Sequence, residues 1–152
     1  MAARQRAYLD ASVPSAYHDE RAPDRQRLTR EFWSGRLLEF EAVISEIVLQ
    51  EILDTPAIKK RQLLKDLIDD FTVLDFDDEA RRLSSEFMRR GIFPDRYVAD
   101  AQHVAIAVVN GVDYLCSWNF THLVKVSTRR EVNLVNSLMG YGQVEIIAPP
   151  EL

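Results

Sequence analysis

The sequence predicts an α/β protein, a three-layer α/β/α sandwich with a mostly parallel central sheet. Short apolar segments of strand length alternate with longer segments of helical spacing, which is typical of a parallel sheet with helices on both faces. The segment 96–110 is apolar on nearly every side of a helix, which indicates that this helix is buried. With 152 residues and 47% hydrophobic content, the chain suits a single domain over 1–152.

In the first half of the chain, apolar runs and helix-start signals predict three strands and three helices. Residues 7–9 form an apolar strand, and Asp10 lies at its carboxyl end. Ser45 is a candidate N-cap for the helix after the second strand, and Thr55 with Pro56 behind it indicates another helix start. Beyond the first strand, we predict strands over 40–44 and 72–74 and helices over 25–39, 46–53 and 57–69.

The second half is predicted to continue the alternation with three further helices and two further strands. Asp77 opens one helix, and Asp95 is the candidate N-cap of the buried helix that follows it. Gly111 ends that buried helix as a glycine at the C-terminal cap. We predict helices over 78–90, 96–110 and 129–139 and strands over 112–118 and 144–148, with Pro149 and Pro150 ending the fold.

Composition and charge limit the classes of function. The net charge of −5 argues against indiscriminate nucleic-acid binding, although acids gathered in a site and bases at its rim would give the same total. The one cysteine, Cys116, lies in a predicted strand and is expected to be a buried thiol. The chain has no signal peptide and no apolar run near the ~20 residues that span a bilayer, so we expect a cytoplasmic protein with no membrane association.

Four polar residues stand out as a candidate site: Asp10, Glu51, Asp100 and Asn119. Asp10 and Asn119 follow predicted strands, and neighbouring parallel strands end at the edge where α/β proteins place their sites. Asp100 shares one face of the buried helix with His103, which is placed to donate to a neighbouring carboxylate, and a buried carboxylate is costly without a partner. Taken singly, Asp10 is also explained by turn chemistry and Glu51 by an exposed helix face.

The segments that contain these residues carry a resemblance to a known family. A strand ends in Asp10 with a hydroxyl residue behind it, a serine precedes Glu51 by six positions, and Asp100 opens a helix of small residues. A Ser-x-Asn sequence closes the fourth strand at Asn119. With these segments the chain resembles a PIN domain, the nuclease domain of the VapC toxin family, and the serine register selects Glu51 over Glu46. The segments are Tyr8–Val13, Ile44–Glu51, Asp100–Ala107 and Ser117–Phe120, and the closing Pro149–Leu152 is also similar to the family.

The resemblance implies metal-dependent endonucleolytic hydrolysis of RNA by the toxin of a type II toxin–antitoxin pair, with an antitoxin protein as partner and a homodimer as assembly. It implies that Asp10 and Asp100 are direct metal ligands. Glu51 would be a ligand through water or would orient the attacking water, and Asn119 would be an auxiliary ligand or support the others. Carboxylate oxygens suit Mg²⁺ or Mn²⁺ rather than Zn²⁺, because the sequence offers no Cys/His ligand set.

The sequence departs from the family pattern at two positions, which keeps other functions open. Asn119 stands where many members have aspartate, so one negative charge is lost, which argues against tight binding of a second metal ion. This favours a second interpretation, a catalytically weak PIN-like module that binds RNA or regulates. Ala11 replaces a common threonine, so Ser12 is the candidate hydroxyl.

A phosphatase is a third interpretation. Its second aspartate would fall where Ser12 stands, however, and the five glycines form no phosphate-binding loop.

Basic and aromatic residues near these segments are candidates for substrate contacts. Five arginines in and before the predicted helix 25–39 form either a solvated helix face or a rim that contacts phosphates. His122 follows the fourth segment at a position where RNA could pass. Stacking on bases is the alternative to core packing for Trp33 and Trp118, and Tyr17, predicted to lie in a loop, is a further candidate. The arginines are Arg21, Arg25, Arg27, Arg30 and Arg36.

Overall fold

One sheet of five parallel strands organises the computed structural model, which describes residues 4–152. The strand order is β3-β2-β1-β4-β5, with β1 at the centre, and each neighbouring pair is parallel. The predicted α/β class is therefore confirmed, and the sheet predicted to be mostly parallel is parallel throughout this part of the chain. The strands are β1 (Arg6–Leu9), β2 (Glu41–Ser45), β3 (Thr72–Leu74), β4 (Tyr114–Cys116) and β5 (Glu145–Ile147).

Seven α-helices lie between the strands in residues 4–152. Because connections between parallel strands are right-handed, the four helices before β3 cover one face of the sheet and the three after it cover the other. This is the predicted three-layer arrangement. The helices are α1 (Ser12–Tyr17), α2 (Pro23–Ser34), α3 (Glu46–Leu53), α4 (Ile58–Leu67), α5 (Asp78–Arg89), α6 (Val98–Val109) and α7 (Val126–Leu138), with 3₁₀ turns at Arg36–Glu39, Asp95–Tyr97 and Pro149–Glu151.

The strand order reverses between β1 and β4. The chain runs outward from β1 to β2 and β3, and then crosses back to place β4 on the other side of β1. Leu9 pairs with Cys116, and the N–H of Asp10 donates to the carbonyl of Cys116 at 3.2 Å, so the two strands end side by side. Open α/β sheets bind ligands at such a reversal, outside the carboxyl ends of the strands.

Three helix-end predictions are confirmed. The Ser45 hydroxyl accepts from the N–H groups of Ile47 and Val48 at the start of α3, at 3.2 and 3.4 Å. The Asp77 carboxylate accepts from the N–H of Ala80 at 2.9 Å and caps α5. Gly111 follows α6 with a φ of +65°, a left-handed conformation that glycine adopts without a steric penalty.

Two other predicted helix starts are wrong. Thr55 lies in the turn directly after α3, where its N–H donates to the carbonyl of Ile52 at 3.0 Å, and α4 begins after Ala57 instead. Asp95 makes no capping bond; it opens a 3₁₀ turn in which the N–H of Tyr97 donates to the carbonyl of Pro94 at 2.8 Å. The N-cap of α6 is Tyr97, so the tighter turn delays the α-helix.

The region 12–39 also differs from prediction. Residues 12–17 form α1, with Pro14 in the first turn where its missing N–H costs no helix hydrogen bond, and Tyr17 ends this helix rather than lying in a loop. The predicted helix 25–39 is broken at Gly35 into α2 and a 3₁₀ turn, because Gly35 leaves the helical conformation with φ −121° and ψ −97°. A Cβ at Gly35 would lie 2.9 Å from the carbonyl oxygen of Glu31, so glycine permits this sharp exit.

The core lies on both faces of the central strands. Ala7, Tyr8 and Leu9 of β1 have no exposed surface, and Cys116 is a buried free thiol, as predicted. Helix α6 is buried at Ala101 and from His103 to Val108, as predicted, although Gln102 and the first residues of the helix are partly exposed. In residues 4–152, no helix combines the length and the apolar character that crossing a membrane requires.

Candidate active site

The end of β1 carries Asp10, a carboxylate that is 5% exposed. Its Oδ1 accepts from the N–H of Ser12 at 3.1 Å and from the Ser12 hydroxyl, and its Oδ2 accepts from the Ser117 hydroxyl at 2.6 Å. Burial raises the pKa of Asp10, while the charge of His103 and the two hydroxyl hydrogen bonds act in the opposite direction. Ser12 therefore supplies a hydroxyl to Asp10, as predicted from the absence of a threonine at position 11.

The same two serines join the ends of β1 and β4. The Ser12 hydroxyl oxygen accepts from the N–H of Trp118, and the Ser117 hydroxyl oxygen accepts from the N–H of Asn119, both at 2.9 Å. Each serine thus donates to Asp10 and accepts from the loop after β4. Sequence reasoning included Ser117 in the fourth segment without assigning it a role; a serine directly after an apolar strand was the available signal.

Asn119, in the loop after β4, lies next to Asp100 in the first turn of α6. Its Nδ2 donates to Oδ2 of Asp100 at 3.3 Å. Its Oδ1 accepts from the N–H groups of Thr121 and His122 at 3.1 and 3.0 Å, so the oxygen that could bind a metal ion caps a turn. In this geometry Asn119 orients Asp100 and the loop 119–122.

The first turn of α6 places Asp100 among other ionisable groups. Burial raises the pKa of Asp100 to about 6, the charge of His103 opposes this shift, and repulsion from Asp10 and Glu51 adds to it. Asp10, Glu51 and Asp100 therefore lie close enough together for their negative charges to repel one another. A cation placed among them would remove that repulsion.

Glu51 reaches the site from α3 and is held by His103 of α6. Nε2 of His103 donates to Oε1 of Glu51 at 2.6 Å, which is the predicted histidine–carboxylate contact. Burial acts to lower the pKa of His103, but the hydrogen bond and charge of Glu51, with the charges of Asp10 and Asp100, outweigh it and raise that pKa. Glu46, by contrast, accepts from the N–H of Phe76 at 2.8 Å, just after β3.

The donor chemistry of the site fits a hard divalent cation, but the ligands are not assembled around one point. Among residues 4–152, no group of three or more His, Cys, Asp or Glu side chains is positioned to hold a metal ion. Asp10, Asp100 and Glu51 offer oxygen atoms, and burial, with a smaller contribution from repulsion between the carboxylates, raises the pKa values of Asp10 and Asp100. In this structure the oxygen atoms of the three side chains therefore do not converge on one point.

Exposed rings border the site on the loop that Asn119 caps. Phe120 is 50% exposed and packs edge-on against Trp118, with ring centroids 6.2 Å apart. Trp118 is a core residue whose Nε1 donates to Thr29 at 2.9 Å, so its predicted core packing is confirmed. The rings of Tyr97 and His122 lie 4.0 Å apart, which places His122 against the residue before α6. Sequence reasoning missed Tyr97.

The arginines of the α2 region divide into two groups. Arg21, Arg27 and Arg36 form exposed ion pairs with acidic neighbours in the sequence, as expected for a solvated face. Arg25 lies over the Trp118 ring, 5.1 Å from its centroid, and Arg30 lies over Tyr17 at 5.0 Å. Of the five arginines, Arg25 lies against Trp118, the residue directly before the loop 119–122.

The remaining aromatic candidates form a separate cluster. Trp33 stacks on Phe71 with centroids 5.5 Å apart, and Tyr17 packs edge-on against Trp33 at 5.4 Å. This cluster joins α1, α2 and the segment before β3. Packing between these elements accounts for Trp33 and Tyr17.

These features define a class of protein: a parallel α/β sheet with an acidic, cation-compatible site at the switch point. Residues 7–118 match the sequence profile of the PIN domain family, so the chain belongs to that family. The family includes nucleases of toxin–antitoxin systems. No curated protein matches the sequence.

Solved structures with the same fold come from several bacteria. FitAcB from Neisseria gonorrhoeae is 16% identical, with 96% of this chain and 99% of that chain covered and a TM-score of 0.62. VapBC2 from Rickettsia felis, bound to a DNA fragment from its promoter, is 12% identical over 93% and 97% of the two chains, with a TM-score of 0.54. VapBC-5 from Mycobacterium tuberculosis, a toxin–antitoxin system, is 19% identical over 94% and 98%, with a TM-score of 0.51. At these identities the likeness establishes the fold.

Proposed function

We propose that the protein is a Mg²⁺- or Mn²⁺-dependent endoribonuclease and the toxin of a type II toxin–antitoxin pair. One observation carries the proposal. In a PIN domain chain, Asp10, Asp100 and Glu51 are gathered at the switch point of the sheet, where burial and mutual repulsion raise the pKa of Asp100 to about 6. A site that concentrates negative charge in this way is suited to a divalent cation and a phosphodiester.

The side chains would divide the work of hydrolysis. Asp10 and Asp100 would hold the cation, which when bound neutralises charge on the phosphoryl oxygens. Glu51, whose Oε1 is bonded to His103, would accept a hydrogen bond from the attacking water and orient it toward phosphorus. Asn119 would keep Asp100 in place through its Nδ2.

The surroundings of the site support a nucleic-acid substrate. A pocket of about 260 Å³ borders Glu51 and Ser12, with Lys60 on its wall as a cation for a phosphate group. On the other side, Phe120 and the Tyr97–His122 pair offer ring faces of the kind on which unpaired bases stack. Unpaired bases are the feature of RNA that proteins most readily read, so we propose single-stranded RNA as the substrate.

The assembly and location belong to the same proposal. The neighbours named VapBC are toxin–antitoxin complexes, so we propose an antitoxin protein as the partner of this chain. The family resemblance adds a homodimer, and a cytoplasmic location would give the nuclease access to RNA.

A catalytically weak RNA-binding module is the second candidate, because of Asn119. Its Oδ1 caps a turn, so Asn119 adds neither charge nor a free oxygen to the site. Such a module would bind RNA at the same rim without cleaving it.

Cleavage of a mixed RNA pool by the purified protein tests the proposal. We expect cleavage with Mn²⁺ or Mg²⁺, none with chelator, and loss in Asp100→Asn. Asp70→Asn is the matched control, since it makes the same change of charge at an exposed position. Equal cleavage by both variants would contradict the assignment of Asp100, and RNA binding without cleavage under either metal would favour the binding module. A DNA pool of the same sequences tests the choice of RNA.

A further inference from the structure

A line of buried hydrogen bonds runs from β2 to Glu51. The Ser45 hydroxyl and the Tyr8 hydroxyl are 2.6 Å apart, and the Tyr8 hydroxyl is 2.6 Å from Nδ1 of His103. Nε2 of His103 is in turn 2.6 Å from Oε1 of Glu51. Ser45 and Tyr8 have no exposed surface and His103 is 2% exposed.

The direction of the bonds follows from what each group can donate. A carboxylate only accepts, so Nε2 of His103 carries the hydrogen of the bond to Glu51. The Ser45 oxygen already accepts two N–H groups of α3, which leaves its own hydrogen for the Tyr8 oxygen. When His103 is neutral, the Tyr8 hydrogen goes to Nδ1 of His103, and every polar atom in the line then has a partner.

The line joins three elements that are otherwise separate in the sequence. Tyr8 lies in the central strand β1, Ser45 ends β2 and caps α3, and His103 lies on α6, one turn after Asp100. Glu51 is 40% exposed by its side chain and would be free to change rotamer without a partner. Within residues 4–152, its Oε2 makes no hydrogen bond to the protein, so one oxygen is held while the other stays available.

We propose that Ser45, Tyr8 and His103 form a positioning relay that holds Glu51 in a single orientation, with Oε2 free for the cation or the attacking water. His103 is the residue that contacts Glu51, and Tyr8 and Ser45 set the tautomer and the ring orientation of His103. The role in the reaction rests on the nuclease function proposed above. The hydrogen bonds themselves can be tested without it.

Tyr8→Phe is the most informative variant, because it removes one hydroxyl and keeps the ring that fills the core. We expect kcat for RNA cleavage to fall about tenfold with KM unchanged, and Mn²⁺ affinity, measured by titration calorimetry, to fall about tenfold. His103→Leu should have a larger effect, and His103→Gln, whose amide can still donate, should recover part of it. Tyr114→Phe, on the neighbouring strand β4, is the matched control and should change neither quantity.

A double-mutant cycle separates positioning from a structural role. If Tyr8 acts through Glu51, adding Tyr8→Phe to Glu51→Gln should lower kcat no further than Glu51→Gln alone. Effects that simply add would overturn the relay. So would folded Tyr8→Phe and His103→Leu proteins, judged by circular dichroism, whose kcat and Mn²⁺ affinity stay within twofold of wild type.

The ¹⁵N spectrum of the histidine rings gives a readout that needs neither RNA nor metal. The chain has 3 histidines, so His103→Gln identifies the signal of His103. We expect Nε2 to carry the hydrogen in wild type and its signal to shift in Glu51→Gln and in Tyr8→Phe. Those shifts in a protein that does not cleave RNA would refute the proposed function while supporting the relay, and cleavage without them would overturn the relay alone.

Discussion

Asp10 and Glu51 lie at the same site but are held in opposite ways. Asp10 is 5% exposed and is bonded on both oxygens by neutral donors, Ser12 and Ser117, from the ends of two adjacent strands. Glu51 is 40% exposed by its side chain and is bonded on one oxygen by His103. Neutral hydrogen-bond donors do not remove the free-energy cost of burying the charge of Asp10. The histidine partner and the contact with water lower that cost for Glu51.

This contrast predicts that the two carboxylates differ most in metal binding. Asp10→Asn should abolish the rise in melting temperature with millimolar Mn²⁺ and lower kcat by at least about a thousandfold, equal to ~4 kcal/mol of barrier. Glu51→Gln should keep a measurable Mn²⁺ shift and lower kcat about a hundredfold, as expected for loss of a group that orients water. Scanning fluorimetry and steady-state kinetics measure both. If Glu51→Gln lost the Mn²⁺ shift and Asp10→Asn kept it, the two assignments would have to be exchanged.

Asn119→Asp should strengthen the binding of the cation and lower the stability of the metal-free protein. The new carboxylate replaces a donor to Asp100 with a like charge, so the melting temperature should fall without metal. With Mn²⁺ the repulsion is relieved, so the increase in melting temperature should exceed that of wild type, with about tenfold tighter binding by calorimetry. Gln5→Glu, at an exposed position before β1, is a charge control at the opposite end of that strand from Asp10. An unchanged Mn²⁺ affinity would indicate that Asn119 does not face the cation.

The buried carboxylates should also make the metal-free protein less stable as the pH rises. Below about pH 4 Asp100 is protonated in both the folded and the unfolded protein, and between about pH 4 and 6 only the folded protein keeps the proton. The contribution of Asp100 to the free energy of unfolding therefore falls as the pH rises through this range and is constant above it.

Urea unfolding of wild type and Asp100→Asn at pH 4.5 to 7.5, in chelator, measures the contribution of Asp100 to the free energy of unfolding as the difference between the two proteins. Glu86 is the opposite case, a carboxylate whose pKa is lowered in the folded protein. Hydrogen bonds from Arg89 and Arg90 lower its pKa to about 2, so its contribution should be constant over this range and be lost only as the pH falls from about 4.5 to 2. A wild-type minus Asp100→Asn difference that does not change with pH would contradict the raised pKa of Asp100.

The smallest effect is expected at the exposed rim. Phe120→Leu keeps the apolar volume and removes the ring, so KM for RNA should rise about fivefold, equal to ~1 kcal/mol of stacking, with the melting temperature unchanged. Phe120→Tyr should retain the wild-type KM. Leu138→Ala, at an exposed position on α7, is the control. Equal KM values for Phe120→Leu and Phe120→Tyr would exclude stacking at this ring.

Local signals in the chain were sufficient for the α/β class, for the caps at Ser45 and Asp77 and for the glycine at Gly111. Each of these depends on residues within about four positions, so the pattern along the chain contains the information. They failed at Asp95, where the N–H of Tyr97 donates to the carbonyl of Pro94 instead, and at Thr55, whose own N–H closes the turn after α3. They also missed α1, because six residues with a proline carry too little periodicity to predict a helix.

The candidate site shows the same division between near and distant residues. Strand ends and the buried helix were enough to choose Asp10, Asp100 and Asn119 as candidates, and Glu51 was chosen through the serine register of the family resemblance. Which atoms meet was not readable there: His103 and Glu51 are 52 positions apart, and Tyr8 and His103 are 95 apart. Those contacts, and the hydrogen bond from the Asn119 amide to Asp100, depend on the tertiary structure. They form only when packing of the sheet and helices brings remote polar groups into a shared interior where each must find a partner.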